Sequence, residues 1–155
     1  MKYFLCLLLS LTVTSSYADN EDWRKTADHD EKLKQVIKVI PSTSDLMFQM
    51  GHRYQNLYWA GKQGKWEFAE YQIEEMESLI EKLMITRPRR HETASNFLGY
   101  AFKGYEDAIE HKNWPRFQKA FDKMRQACER CHKQNNHGFI KLQKIPAKGH
   151  SPALD

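Results

Sequence analysis

Four successive helical patterns between residues 42 and 138 constrain the fold of this chain most strongly. In each, apolar residues recur at steps of three and four, the period of a helix with one buried face. The first begins at the N-capping cluster Ser42–Asp45 and ends at Gly61 and Gly64. Its apolar stripe contains Met47, Met50, Tyr54, Leu57, Tyr58 and Gly61. Strand-like alternation is missing between the patterns, so the sequence predicts an all-α protein.

The other three patterns follow after short connections. The second covers residues 65–86 and stops at Arg87, because the residue before a proline disfavours helix. The third covers residues 90–111. Asn113 caps the fourth, which has Pro115 in its first turn and closes at Gly138. Four amphipathic helices with short loops predict an antiparallel up-down-up-down four-helix bundle.

Near its C-terminal end, the fourth pattern contains Cys128-Glu129-Arg130-Cys131-His132, the attachment signature of a c-type haem. In this chemistry each thiol adds across one haem vinyl group, and the histidine ligates the iron. Positions i, i+3 and i+4 share one helix face, so a single rigid element presents all three side chains. The sequence predicts one covalently attached haem c near the C-terminal end of helix four. Cys128 and Cys131 would hold it, and His132 would be the proximal ligand.

The same string of residues occurs in zinc sites and in thioredoxin-like disulfides. Zinc needs a third and fourth ligand, usually a second Cys/His pair at close spacing. A thioredoxin-like motif follows a strand and starts a helix, whereas here a helical pattern runs into the motif. The context therefore favours haem over both alternatives.

Residues 1–18 have the pattern of a secretory signal peptide. Lys2 supplies a positive start, Tyr3–Val13 an apolar centre and Ser16–Ala18 a small-x-small cleavage site. The apolar segment is too short to span a bilayer; the alternative is an N-terminal anchor that is not cleaved. Cleavage would remove Cys6 and leave only the two motif cysteines. We therefore expect export to the periplasm, which fits the attachment of haem c after export in bacteria.

The remaining chain is expected to contain an N-terminal tether at residues 19–41, a haem domain at residues 42–138 and a C-terminal tail at residues 139–155. The whole chain has 24 Lys and Arg against 20 Asp and Glu, and loss of Lys2 lowers the net charge from +4 to +3. This charge is too small to indicate nucleic-acid binding. Negative mean hydropathy and the lack of a second long apolar run exclude a membrane-spanning body.

The layout of residues 44–138, together with the cysteine motif, resembles the class II c-type cytochromes, the cytochrome c prime group of four-helix bundles. The segment Asp45–Gly51 is similar to the first helix of the low-spin members, in which a methionine near the helix start is the sixth iron ligand. The resemblance implies His132 as proximal ligand and Met47 as distal ligand. The sequence departs from the family in the aromatic segment Leu57–Gly61 and in the long tail after His132.

The distal side has more than one candidate. In an up-down bundle the end of helix four lies beside the start of helix one, which carries Met47 and Met50. Either methionine could bind the iron, or both could fill the core. Leu83, Met84, His91 and Phe97 at the corner between helices two and three would also be within reach, although His91, like the other histidines, is expected at the surface. Phe139 and Ile140 would cover the haem edge or anchor the tail.

Three functions follow from different distal sides, and an electron carrier with two strong axial ligands is favoured. An open distal site would instead bind a gas such as nitric oxide or carbon monoxide. A peroxidase-like enzyme would need a distal base with a charged helper, for which His52 and Arg53 are the candidates; we expect no enzyme activity.

The expected partners of such a carrier are periplasmic redox proteins. Residues 116–155 have a charge balance of +6 and residues 66–82 one of −5. The basic side chains near the motif, Lys119, Lys123, Arg125, Arg130 and Lys133, favour an acidic partner; ordinary solvated helix faces are the alternative. The oligomeric state stays open, a homodimer being one option.

Overall fold

The computed structural model describes residues 22–149 and 151–154, and the regular structure in this part of the chain is helical throughout. The all-α class is therefore confirmed. The predicted signal peptide lies outside the described residues, and it stays a prediction. The helices are α1 (Trp23–Thr26), α2 (His29–Val39), α3 (Thr43–Lys62), α4 (Trp66–Thr86), α5 (His91–Ala101), α6 (Tyr105–Glu110) and α7 (Trp114–Gln134), with short 3-10 turns at Pro88–Arg90 and Pro152–Leu154.

The contacts divide the chain between Val39 and Ile40 into two units. The first contains α1 and α2, two helices within the range that the sequence analysis interprets as a tether. Asp22 caps α1, since its side chain accepts a hydrogen bond from the Arg24 N–H. The second unit contains α3 to α7, the tail and the candidate site.

The N-terminus of α3 is fixed by a reciprocal capping box. Ser42 Oγ accepts a hydrogen bond from the Asp45 N–H at 3.1 Å, and Asp45 Oδ2 accepts one from the Ser42 N–H at 2.8 Å. These bonds satisfy N–H groups that have no partner within the helix. After Lys62 the chain reverses at Gly64, whose φ of +73° favours glycine. Both ends of α3 agree with the prediction.

The ends of α4 and α7 also follow local signals. The helix α4 ends at Thr86, directly before Arg87-Pro88. The side chain of Asn113 accepts a hydrogen bond from the Arg116 N–H at 3.0 Å and so caps α7. These contacts place the start of the motif-bearing helix where the sequence predicts it.

The third predicted helix is broken into α5 and α6. The chain between them contains Gly104, whose φ of +94° lies in the left-handed region. The apolar stripe nevertheless continues across the break, and Ala101, Tyr105 and Ala108 are all buried. A continuous stripe therefore concealed an interruption in the backbone, for which the glycine was the only local signal.

Packing joins α3 to α4, α4 to α5, α5 to α7 and α7 back to α3, while α6 packs on α7. The second unit is therefore a bundle of packed helix pairs. Aromatic rings fill its centre. Tyr58 of α3 contacts Phe121 of α7 edge-on at 5.1 Å between ring centroids, and Tyr105 of α6 contacts Phe117 of α7 at 5.0 Å. No helix in the described residues combines the length and the apolar character needed to cross a membrane.

The tail after α7 packs along α3. Side chains of α3, and of Gln63 directly after it, donate to backbone carbonyls of the tail: Tyr54 to Gln143, Trp59 to Pro146 at 3.0 Å and Gln63 to Leu154 at 3.1 Å. The Leu154 side chain is buried. The tail is therefore part of the second compact unit.

Candidate functional site

The cysteine motif occupies the last two turns of α7. The buried stripe of α7 contains Phe121, Met124 and Ala127 and extends into the motif at Cys128, which is also buried. Cys131 and His132, on the next turn, are half-buried. The prediction that the thiols face the core is therefore met in full at Cys128 and partly at Cys131.

A cavity of about 400 Å³ lies against this part of α7. Its volume is within the range of small-molecule and cofactor sites, roughly 300–1,000 Å³. The lining residues come from the first turns of α3, the second half of α4, the start of α5, the end of α7 and the tail. The buried part of the wall consists of Met50, Tyr54, Met76, Ile80, Leu83, Ala94, Phe97 and Cys128. Ser44, Phe48, Gly51 and Ile140 are exposed members of the lining and mark its open side.

Both thiols border this cavity and are held in the neutral form. Burial raises the pKa of Cys128 to about 12, and the nearby Cys131 adds to the effect. Burial also raises the pKa of Cys131, although Arg90 and hydrogen bonds with Thr93 and Asn135 oppose the shift. The structure therefore presents two protonated thiols on one wall of an apolar cavity.

His132 lines the same cavity and has a buried nitrogen without a hydrogen bond. Its Nδ1 atom finds no partner among the described residues. Burial lowers the pKa of the imidazole, while the Ile140 backbone acts in the opposite direction. A lowered pKa favours the neutral ring, which is the form that ligates a metal.

Two methionines of α3, Met47 and Met50, line the cavity. Met50 is 7% exposed and Met47 is half-buried. Gly51 also lines the cavity, and a Cβ atom built at this position meets nothing within 4 Å. One cavity therefore brings together all five sequence-predicted site residues, Met47, Met50, Cys128, Cys131 and His132.

Other predicted neighbours have mixed outcomes. Leu83 and Phe97 line the cavity, but Met84 and His91 do not, and His91 is exposed. Ile140 is part of the lining, whereas Phe139 is 79% exposed and contacts His137.

His52 and Arg53 line a separate groove on the outer side of α3 and α4. His52 Nε2 lies 3.1 Å from Asn56 Nδ2, and Arg53 forms an ion pair with Glu75 at 2.8 Å. The two side chains are therefore held away from the cavity that contains the cysteine motif.

A polar network that the sequence did not predict joins the end of α7 to the start of α5. Asn135 Nδ2 donates to Thr93 Oγ1 at 3.0 Å and to the Cys131 carbonyl at 2.8 Å. Thr93 Oγ1 in turn donates to the Arg90 carbonyl at 3.0 Å. The spacing of Asn135 four residues after Cys131 was visible in the sequence, but its partner is 42 positions away.

The site suits a haem group by its residues. Two thiols and a neutral imidazole share one apolar cavity, and a buried imidazole nitrogen has no protein partner among the described residues. Within that part of the chain, no cluster of three or more His, Cys, Asp and Glu side chains has the arrangement needed to hold a metal ion directly. Comparison of the chain with known protein families, curated proteins and solved structures finds no match in any of the three.

Proposed function

We propose that this chain is an exported c-type cytochrome, in which one haem c is attached through Cys128 and Cys131 and His132 is the proximal iron ligand. The observation that carries the proposal is the shared cavity: the motif of α7 and the two methionines of α3 line the same apolar space. A bound haem would supply an iron that alternates between the ferric and ferrous states. The protein would carry single electrons between periplasmic redox proteins.

The proposal includes the antiparallel up-down-up-down topology. Its support is the origin of the cavity lining, which combines the start of α3, the second half of α4, the start of α5 and the end of α7. An arrangement in which consecutive helices run in opposite directions would bring these segments to one end of the bundle. The connections at 63–65, 87–90 and 111–113 are short enough for such neighbours.

Haem attachment would proceed by two thiol additions. The Cys128 S–H bond adds across one vinyl double bond, so that the sulfur bonds one vinyl carbon and the hydrogen ends on the other. Cys131 does the same at the second vinyl group, and no group leaves. Cys128 and Cys131 fix the ring to α7, while His132 on the same helix face holds the iron.

We propose a methionine of α3 as the distal ligand. Met47 is the position that the family resemblance suggests, and Met50 is the more deeply buried of the two. A thioether and an imidazole together give a six-coordinate iron and a raised reduction potential, which suits an electron carrier.

Gas binding is the second candidate, because the cavity has room on the α3 side. Gly51 leaves open space where any other residue would place a side chain. If neither methionine bound the iron, the apolar lining would form a pocket for nitric oxide or carbon monoxide. A peroxidase-like role has less support, since His52 and Arg53 belong to the outer groove.

The charge distribution supports an acidic partner, with one change to the basic residues involved. Lys119, Lys123 and Lys133 are exposed on α7. Arg125 instead forms ion pairs with Asp122 at 2.9 Å and Glu129 at 3.1 Å, so it is neutralised within its own helix. A basic surface beside the haem would steer an acidic redox protein to the site.

Covalent attachment is the test of the proposal. Haem should remain with the polypeptide through acid-acetone extraction and denaturing electrophoresis, and Cys128→Ala or Cys131→Ala should each impair this retention. Cys6→Ser is the control, because Cys6 lies outside the motif and should leave attachment unchanged. Complete extraction of the haem from the unsubstituted protein would contradict the proposal.

A further inference from the structure

The cavity contains one strongly basic side chain, and it is not neutralised. Among the described residues that line it, Arg90 is the only Lys or Arg. Its guanidinium has no hydrogen bond or ion pair with any described residue. The bundle's other half-buried arginines all have partners: Arg53 pairs with Glu75, Arg125 pairs with Asp122 and Glu129, and Arg87 donates to the Thr86 and Pro41 carbonyls.

The backbone of Arg90 is held firmly at the edge of the cavity. Its N–H donates to the Arg87 carbonyl at 2.8 Å, and its carbonyl accepts the hydrogen bond from Thr93 Oγ1. Thr93 is joined to Asn135, so the hydrogen bonds connect this corner to the motif-bearing helix. Arg90 is also half-buried, which removes part of the water that would otherwise solvate its charge.

A haem group has a chemical partner for the Arg90 guanidinium. Besides the vinyl groups, the ring carries two propionate carboxylates, which are costly to leave unpaired at an apolar cavity. A guanidinium binds a carboxylate through two parallel hydrogen bonds, and this geometry fixes direction as well as adding affinity. We propose that Arg90 binds a haem propionate and thereby sets the orientation of the ring in the cavity.

This inference rests on the proposed haem site. A comparison of two ligands distinguishes a failure of the Arg90 contact from a failure of the haem site. The chain carrying Cys128→Ala and Cys131→Ala retains His132 but cannot bind haem covalently. It is titrated with haemin, which has both carboxylates, and with haemin dimethyl ester, in which both are blocked. Binding is followed by haem absorbance and by quenching of tryptophan fluorescence in the same solvent.

Arg90→Gln in this background should weaken haemin binding roughly tenfold to a hundredfold, the usual effect of losing a charge-assisted hydrogen bond. Binding of the ester should change little. Arg90→Lys should recover part of the haemin affinity, because it keeps the charge but not the two-pronged geometry. Arg89→Gln is the matched control: Arg89 is exposed and does not line the cavity, so neither ligand should be affected.

Each other result has a distinct meaning. If the parent protein binds neither ligand, the haem site itself fails, and the Arg90 inference fails with it. If the parent binds haemin and Arg90→Gln changes neither affinity, or lowers both equally, the haem site stands and the propionate contact is overturned. Circular dichroism checks the fold of each variant. If Arg90→Gln does not fold, the test uses Arg90→Lys. A ratio of haemin affinity to ester affinity equal to that of the parent then overturns the proposed propionate contact.

Discussion

The ring of Phe117 in α7 packs directly against the backbone of Gly61 in α3. A Cβ atom at residue 61 would overlap the ring, and both residues are fully or nearly fully buried. The close approach of α3 to α7 at this point thus depends on the absence of a side chain. The same two helices both contribute residues to the lining of the cavity.

Gly61→Ala should therefore destabilise the protein. Overpacking of this kind costs about 1–3 kcal/mol, more than the gain in helix propensity. Gly51→Ala provides a control in the same helix. Because its Cβ meets open space, the helix should gain about 0.5–1 kcal/mol from the better helix former. Urea unfolding of both variants measures the difference, and equal shifts in the same direction would contradict the packing described at Gly61.

The two methionines should differ in their effect on the iron. If a thioether binds, the ferric protein should be low-spin with a near-infrared sulfur-to-iron charge-transfer band. Either Met47→Ala or Met50→Ala should abolish this band and lower the reduction potential, and the other variant should retain it. Met84→Ala is the control, since Met84 does not line the cavity. A high-spin resting protein that readily binds carbon monoxide would instead favour the gas-binding function.

The haem-free protein should lose stability in mild acid because of His132. Burial lowers the pKa of this ring in the folded state, so the unfolded chain takes up the proton more readily. The stabilisation is then complete above the unfolded pKa of about 6.5 and is lost as the pH falls towards the folded value.

Urea unfolding of the Cys128→Ala, Cys131→Ala chain at pH 7.5 and pH 5 checks this prediction. His132→Gln should reduce the loss between the two pH values, whereas His91→Gln controls for the removal of an exposed histidine. An identical loss in the parent and in the His132 variant would show that other groups control the acid sensitivity.

Electron transfer to an acidic partner should slow as salt is added. The Debye length falls from about 30 Å at 0.01 M to about 10 Å at 0.1 M, so steering by α7 should weaken over this range. Lys123→Glu with Lys133→Glu should reduce the salt dependence, because both side chains are exposed on that helix. Lys82→Glu on the acidic helix α4 is the control, and its effect should be small. If the bimolecular rate constants depend neither on salt nor on these substitutions, docking through the basic side chains of α7 is excluded.

Local signals predicted most of the fold. Ser42 with Asp45, the Arg87-Pro88 step and Asn113 each end or start a helix through bonds between near neighbours, so their effect is visible in sequence. Gly104 shows the limit of this approach. The helix broke at a single left-handed residue, although the apolar stripe on either side continued unchanged.

Long-range partners could not be predicted in the same way. The motif predicts Cys128, Cys131 and His132 as site residues because they lie within five consecutive positions, and all three line the cavity. Arg90 and Asn135 have no local signature, since their roles depend on which helix ends meet around the cavity.

The anchoring of the tail leaves its own sequence unusually free to change. The donors are side chains of α3, of Gln63 directly after it and of Lys65 at the start of α4. The acceptors at residues 143, 146, 153 and 154 are main-chain carbonyls, which every amino acid possesses. Apart from the buried Pro146, Ser151 and Leu154, the residues of the tail can therefore be substituted without changing the path of the backbone. Related proteins should then be recognised by Tyr54, Trp59 and Gln63, residues that lie almost a hundred positions before the segment whose course they direct.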